Sequence, residues 1–550
     1  MDGYFNLGSY SRPVSTSSVE AQVWFDRGLN WCFGFHHEEA IACFRRALDH
    51  DPQFAMAHWG IAYASGPNYN KPWEAFDAAD LKRTIAGSHT DLARAIAASI
   101  DASPVERLII AALQARCPLV APAEFSPLSD AYAEAMANVY LRCPDDRDVA
   151  FLYAEAMMNR TGWQLWDVRS GKPAQGSHTP RIVEVLERAM ESGGADHPGI
   201  LHLYIHTMEM SGTPQRALKA ADRLLNLVPA SGHLQHMPTH IYVLCGDYAR
   251  VVEWNSVAIA ADRVNLEREG PLNFYSIYRC HNYHFKAYGA MLLGQYAPAI
   301  EASLEMEATL PPELLRLQSP PMADWLEAFV PTRFHVLVRF GKWEDILAAA
   351  WPGDRDLYSF TVAVQRYART VALAALGRVA EAKAEAALYE TEAAAVPATR
   401  KLMNNFCSDV LAVAREMMLG EIAYREQRFD AAFAHLRRSV ELDDNLPYDE
   451  PWGWMQPTRH ALGALLLEQD RVSEAADVYR ADLGLDATLP RCCQHPDNVW
   501  SLYGYYECLH RLGRQEEAWL IRQRLDLANA RTDVPVKASC FCKLGSRQAA

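Results

Sequence analysis

The sequence predicts an all-α fold in which helix hairpins stack into a right-handed superhelix enclosing a concave groove. Three observations predict it. Strand signals are almost absent, and Ala-rich amphipathic stretches punctuated by Pro and Gly fill the chain. A pattern of small and large apolar residues returns at a fixed period along most of its length. With 550 residues, 50% of them apolar, the chain is long for one compact core but suits an array whose units bury their apolar faces against neighbours.

The first unit is the clearest. "VWFDRGLNWCFGFHHEEAIACFRRALDHDP" carries Trp24, Gly28, Trp31, Ala40, Phe44, Ala47 and Pro52. These are the spacings of the 34-residue tetratricopeptide repeat, two antiparallel helices per unit. Gly28 and Ala40 let the helices approach, Trp24, Trp31 and Phe44 fill the gap, and Pro52 closes the second helix. Weaker copies follow in "PQRALKAADRLLNLVP", "GDYARVVEWNSVAIAAD" and "GQYAPAIEASLEMEATLP". Others are "GKWEDILAAAWP", "GRVAEAKAEAALYE", "QRFDAAFAHLRRSVELD", "DRVSEAADVYRADL" and "GRQEEAWLIRQRLDLA". Degenerate units fill the region around 90–160, and "RSGKPAQGSHTP" (169–180) reads as a turn-rich loop. The expected organisation is N-terminal repeats over 1–160, central repeats over 161–345, C-terminal repeats over 346–530 and a Cys-containing tail over 531–550.

The formal net charge of −15 argues against nucleic acid or an anionic membrane as the main partner. No apolar run of about 18 residues is present, and "MDGYFNLGSY" lacks the blocks of a signal peptide, so a cytoplasmic location is expected. Most of the 12 cysteines are isolated in helix-like stretches, which suits a reducing compartment.

The histidines fall in phase with the repeat. His202 and His206 of "HLYIH" take positions 5 and 9 of one first helix. In the next unit, "GHLQHMPTHIY", His233, His236 and His240 take positions 2, 5 and 9. His281 and His284 of "HNYH" take 2 and 5 of a third, and His335 takes 9 of a fourth. Positions 2, 5 and 9 share one helix face, which in such arrays lines the groove. Glu209, one turn after His206, is placed to orient a ligand or act as a base.

Three readings compete for this cluster: a metal site, a metal-free pocket for catalysis or a small ligand, and a peptide groove. Neutral imidazoles are favoured ligands for copper, zinc and iron, whereas clustered imidazolium ions repel each other. The expected metal ligands are His202, His206, His236, His240, His281 and His284, with His233, His335, His58 and His460 as additional candidates. Pro238 either bends the helix between His236 and His240 or starts a new one.

Three further groups stand out. "YDEPWGWMQPTRH" packs aromatic and polar residues together, with Arg459 suited to substrate positioning and His460 at position 5 of its repeat. Trp59, Tyr63, Tyr69 and Trp73, beside His58, read as repeat packing with a loop, or else as an aromatic rim of the same groove. Cys492, Cys493, His495, Cys540 and Cys542 make a second candidate metal site of soft ligands; the alternatives are reduced surface thiols near the C-terminus and a disulfide.

"RALDHDPQFAMAHWGIAYASGPNYN", "LHLYIHTMEM", "GHLQHMPTHIY" and "CHNYHF" together resemble the long tetratricopeptide repeat proteins grouped with tetratricopeptide repeat protein 38, which have bacterial and fungal relatives. The resemblance spans nearly the whole chain and implies an all-helical, intracellular repeat protein; it implies no reaction. The function expected from the histidines is a metal-dependent oxidoreductase with a copper centre, mono- or binuclear, oxidising a small-molecule substrate with oxygen. The alternatives are a zinc-dependent hydrolase using the same residues and a non-catalytic scaffold that binds a protein partner in its groove.

Overall fold

The computed structural model describes residues 3–543; the end of the expected tail, 544–550, lies outside the described residues. The described chain is helical apart from two minimal antiparallel strand pairs, Trp166–Asp167 with Lys172–Pro173 and Lys401–Leu402 with Asn405–Phe406. Of the first pair, only Lys172–Pro173 lies in the stretch read as turn-rich, 169–180. No described helix is long and apolar enough to cross a membrane.

Successive helices pair as hairpins. Val19–Phe33 packs on His37–His50, Ser276–Leu293 on Tyr296–Ala308, and Cys407–Arg425 on Phe429–Asp444. Thr458–Glu468 packs on Val472–Asp482, and Val499–Arg511 on Gln515–Asn529. The close approach read from Gly28 has a concrete form. A Cβ at Gly28 would stand 2.5 Å from the Phe44 ring, and one at Gly60 on the following helix would stand 2.7 Å from its other edge. One aromatic ring thus fills the space vacated by two glycines, linking a hairpin to its successor. Tyr479 repeats the arrangement between Gly463 and Gly504. These contacts make the hairpins tetratricopeptide-like in packing as well as in order. Trp24 is a correction: it lies half-buried under the guanidinium groups of Arg27 and Arg46, and its neighbour Phe25 takes the core position.

The chain divides into two compact units. Unit 1 comprises 1–241 with 257–268, and unit 2 comprises 242–256 with 269–550. The core of unit 1 is built from Phe25, Trp31, Phe33, Phe44, Phe151 and Ile200; that of unit 2 centres on Tyr367, Trp454, Tyr479 and Trp500.

Candidate metal centre

In unit 1 one helix carries the site. Pro198–Glu209 starts with Pro198 in its first turn, where no backbone donor is needed, and with His197 capping Ile200 N. All of its residues are buried, the polar ones included. His202, His206 and Glu209 follow one another on one face.

The second contributor is broken. Ser231 caps the short helix Gly232–His236, and Pro238 opens a new helix, Pro238–Leu244. The proline therefore separates His236 from His240, the second of the two outcomes expected of it. Gly232 is required by packing, because any Cβ there would overlap the carboxylate of Asp262.

Five imidazoles of unit 1 form one continuous cluster. Ring centroids lie 4.8 Å apart for His202–His206, 4.9 Å for His202–His233 and 5.7 Å for His206–His240. They lie 6.0 Å apart for His233–His236 and 4.6 Å for His236–His240. Exposure of the five is 0–1%. Within unit 1, two groups of described residues have ligand atoms all within 4.8 Å of one another: His202, His206 and His233, and His206, Glu209 and His240.

The hydrogen bonds fix how these rings face. Glu209 accepts from His206 Nδ1 through Oε1 at 2.8 Å and from His240 Nδ1 through Oε2 at 2.8 Å. A carboxylate oxygen only accepts, so both Nδ1 atoms donate, and a neutral ring of this tautomer carries no proton on Nε2. His202 Nδ1 donates to the Phe33 carbonyl at 2.5 Å, which fixes the same tautomer. Burial first, and the neighbouring His236 after it, push His202 down to about 3 against the hydrogen bond to Phe33, so its ring is neutral at physiological pH. The Nε2 atoms then meet in pairs: His202 with His233 at 3.1 Å, and His236 with His240 at 2.6 Å.

Aromatic rings wall the cluster. Phe35 lies 4.5 Å from His202, 6.0 Å from His206 and 5.7 Å from His233. Tyr69 lies 5.1 Å and Trp163 5.9 Å from His206, and these two rings stack on each other at 5.2 Å. Phe35 and Trp163 hold positive φ of 55° and 59°, an uncommon conformation for bulky residues and one that clusters at functional sites. The face expected to line an open groove is therefore closed. Tyr69 belonged to the expected rim; Phe35 and Trp163 sit in turns and have no spacing that marks them.

The other candidates are placed elsewhere. His58 pairs with Asp91 at 3.3 Å. Arg459 makes two 2.6 Å bonds to Asp444, so its guanidinium is committed to a structural ion pair. In unit 2, His281 and His284 are buried on the helix Ser276–Leu293, His284 against Phe329 at 5.2 Å, and His335 lies against Trp454 at 4.9 Å. His460 receives a hydrogen bond from Arg339 at 2.9 Å and donates to Asp482 at 3.1 Å.

The second candidate site is not assembled. Cys540 and Cys542 are joined as a disulfide, which removes both thiolates. His495 is held between Asp482 at 2.8 Å and the Tyr288 hydroxyl at 2.9 Å. Cys492 and Cys493 have sulfurs 3.9 Å apart, and among the described residues no group of three ligands includes a cysteine. Asp482 is the feature that sequence reasoning missed here. It is a fully buried carboxylate that accepts from His460, His495, Asn498 and Ser501. Burial opposes its ionisation, and the two histidines overcome that and hold it well below the usual carboxylate range.

No family model matches the chain, and no curated protein matches it. Among solved structures it is similar to a monomeric IFIT1 mutant with Gppp-AAAA, at 11% identity and a TM-score of 0.31, covering 94% of this chain and 91% of that one. Yeast Tom70 matches at 10% identity and a TM-score of 0.29, covering 93% and 96%. Naa15/Naa10 bound to HypK-THB matches at 14% identity and a TM-score of 0.22, covering 92% and 70%. Likeness at this level says nothing of function.

Proposed function

We propose that the chain is a metal-dependent enzyme whose buried histidine cluster in unit 1 holds copper and serves the oxidation of a small molecule by dioxygen. One observation carries the proposal: three rings have Nδ1 tied to acceptors on the far side, so that Nε2 points into the cluster. Ligating histidines are oriented in this way by their outer hydrogen bonds. Two imidazole nitrogens on one ion at about 2.0–2.1 Å stand roughly 3 Å apart, and the His202–His233 pair at 3.1 Å has that separation.

His202, His206 and His233 form the first seat, and His236 and His240 a second pair of donors, with Glu209 positioning one ring of each. An all-nitrogen set favours copper among the divalent first-row metals. When bound, copper supplies one-electron exchange between substrate and dioxygen. Phe35, Tyr69 and Trp163 keep bulk water out and limit the reactants to small ones, which speaks against the zinc hydrolase. The same enclosure speaks against a peptide lying on these histidines. On the quoted motifs, we also assign the chain to the long tetratricopeptide repeat proteins that resemble tetratricopeptide repeat protein 38.

The test is elemental analysis of the purified chain beside His206→Ala/His240→Ala, with dioxygen uptake followed at an electrode. Stoichiometric copper and uptake, both lost in the variant while the helical circular dichroism is kept, are expected. A metal-free chain whose stability is unaltered by the substitutions supports the scaffold instead.

A further inference from the structure

After the helix Gln515–Asn529 the described residues, 530–543, form no regular secondary structure, yet they pack within unit 2. Asp533 accepts from Tyr296 N at 2.6 Å and Ala297 N at 2.8 Å, capping the helix Tyr296–Ala308. Ala538, Ser539 and Cys542 are buried. The segment touches four first helices: Thr332–Arg339, Cys407–Arg425, Thr458–Glu468 and Val499–Arg511.

The segment is held largely by its main chain. The Ser539 carbonyl accepts from Arg339, and the Cys542 carbonyl accepts from Arg425. Arg339 is 4% exposed and stacks over Trp500 at 4.0 Å, and the Arg425 side chain is 4% exposed against Glu421. Two buried guanidinium groups thus recognise main-chain oxygens, which every sequence possesses. The Ser539 hydroxyl lies 2.5 Å from the Tyr479 hydroxyl and donates to the His460 carbonyl at 2.8 Å. Phe541 fits because Gly341 has no side chain: a Cβ there would stand 2.8 Å from Phe541 Cβ. Lys543 Nζ reaches Glu507 at 3.3 Å. Beside the segment is a small cavity of about 30 Å³, lined in part by Arg339, Tyr367, Gln456 and His460.

Side-chain specificity is confined to a small hydroxyl residue, an aromatic two positions on and a cation two beyond that. The Cys540–Cys542 bond closes the main chain between the two clamped carbonyls and so lowers the ordering cost of binding.

We propose that this face of unit 2 is a peptide-recognition surface, occupied by residues 538–543 as a displaceable self-ligand, and that its partner is an extended segment of another chain with the pattern Ser-x-aromatic-x-cation. The surface is separate from the histidine cluster and does not depend on a metal. A tethered segment competes at an effective concentration of about millimolar, so partner binding is masked until the segment withdraws.

The test uses the full chain and a fluorescein-labelled peptide, Lys-Ala-Ser-Ser-Phe-Ser-Lys. Phe541→Asp loosens the segment without altering the helices. It is expected to speed tryptic cleavage after Lys537 and to bind the probe at least about tenfold more tightly than the unaltered chain. Adding Arg425→Gln to that variant is expected to remove the gain. In the unaltered chain, saturating unlabelled peptide is expected to raise deuterium uptake across 538–543. The proposal is overturned if the freed surface of the Phe541→Asp chain takes no probe, or if uptake in the unaltered chain stays constant. Loss of the helical fold in Phe541→Asp would likewise overturn it, because the segment would then be a fixed part of the core.

Discussion

Glu209 holds two rings of the cluster. Its two oxygens accept from two rings, and that symmetry exists only in a carboxylate. In Glu209→Gln the amide oxygen accepts from one Nδ1, and the NH₂ group, a donor, forces the other ring into the opposite tautomer with a proton on Nε2. One ligand is lost while shape is kept. Metal affinity is expected to fall about 10–100-fold with thermal stability little changed, as read by competition with a chromophoric chelator. Equal affinity in the two chains would remove Glu209 from the site. Glu209 was legible in the sequence because it lies one turn from His206 on the same helix. The Phe33 carbonyl that orients His202 was not: the two residues are 169 positions apart, and a main-chain acceptor leaves no mark in a sequence.

At the scale of elements, the site depends on a helix being interrupted where it is. Pro238 ends one short helix and starts another, so three histidines of one short stretch leave from two axes. Gly232 lets the first of these helices sit against Asp262. Gly232→Ala places a methyl group where that carboxylate stands. The expected cost is about 1–3 kcal/mol, read from urea unfolding, with metal loss because His233 and His236 ride on the displaced helix. A fully stable, metal-replete variant would contradict the packing. The hairpins and their glycine contacts were readable, since Gly28 and Phe44 have the repeat spacing. Trp24 was misplaced because a period fixes which residues share a face but not which of two adjacent aromatics points inward.

At the scale of the molecule, buried histidines set the response to pH. Burial pushes His36, His37 and His284 down to about 3, and His335 and His460 down to about 4, from an ordinary 6.5. A group with a folded pKa below its unfolded one takes up its proton only on unfolding. The stability it contributes is full above 6.5 and drains as pH falls toward 4, by about 1.4 kcal/mol per pH unit for each residue. Asp443 and Asp449 act oppositely. Burial raises them to about 7 and about 8, so the stability from their protonated forms is lost as pH rises from 3.8. Six histidines, His202 included, act over pH 6.5 to 4.5 against these two carboxyls and against the smaller rises that burial gives Asp26, Glu155, Glu307 and Glu327. The urea midpoint of chelator-treated protein is therefore expected to fall steadily over that interval, and a flat or rising profile would contradict this ionisation scheme.

The repeat class was legible across the whole chain because each hairpin is a local pattern. The enclosure of the histidines, the buried Asp482 and the docking of the C-terminal segment were not, since each arises from contacts between distant hairpins. The central claim concerns a single ion among the imidazoles of unit 1. Crystals of the purified protein, measured on either side of the copper and zinc absorption edges, test it most directly. The account predicts an anomalous peak at the copper edge, within bonding distance of Nε2 of His202, His206 and His233. Rings that meet only one another, with no peak among them at either edge, would contradict it.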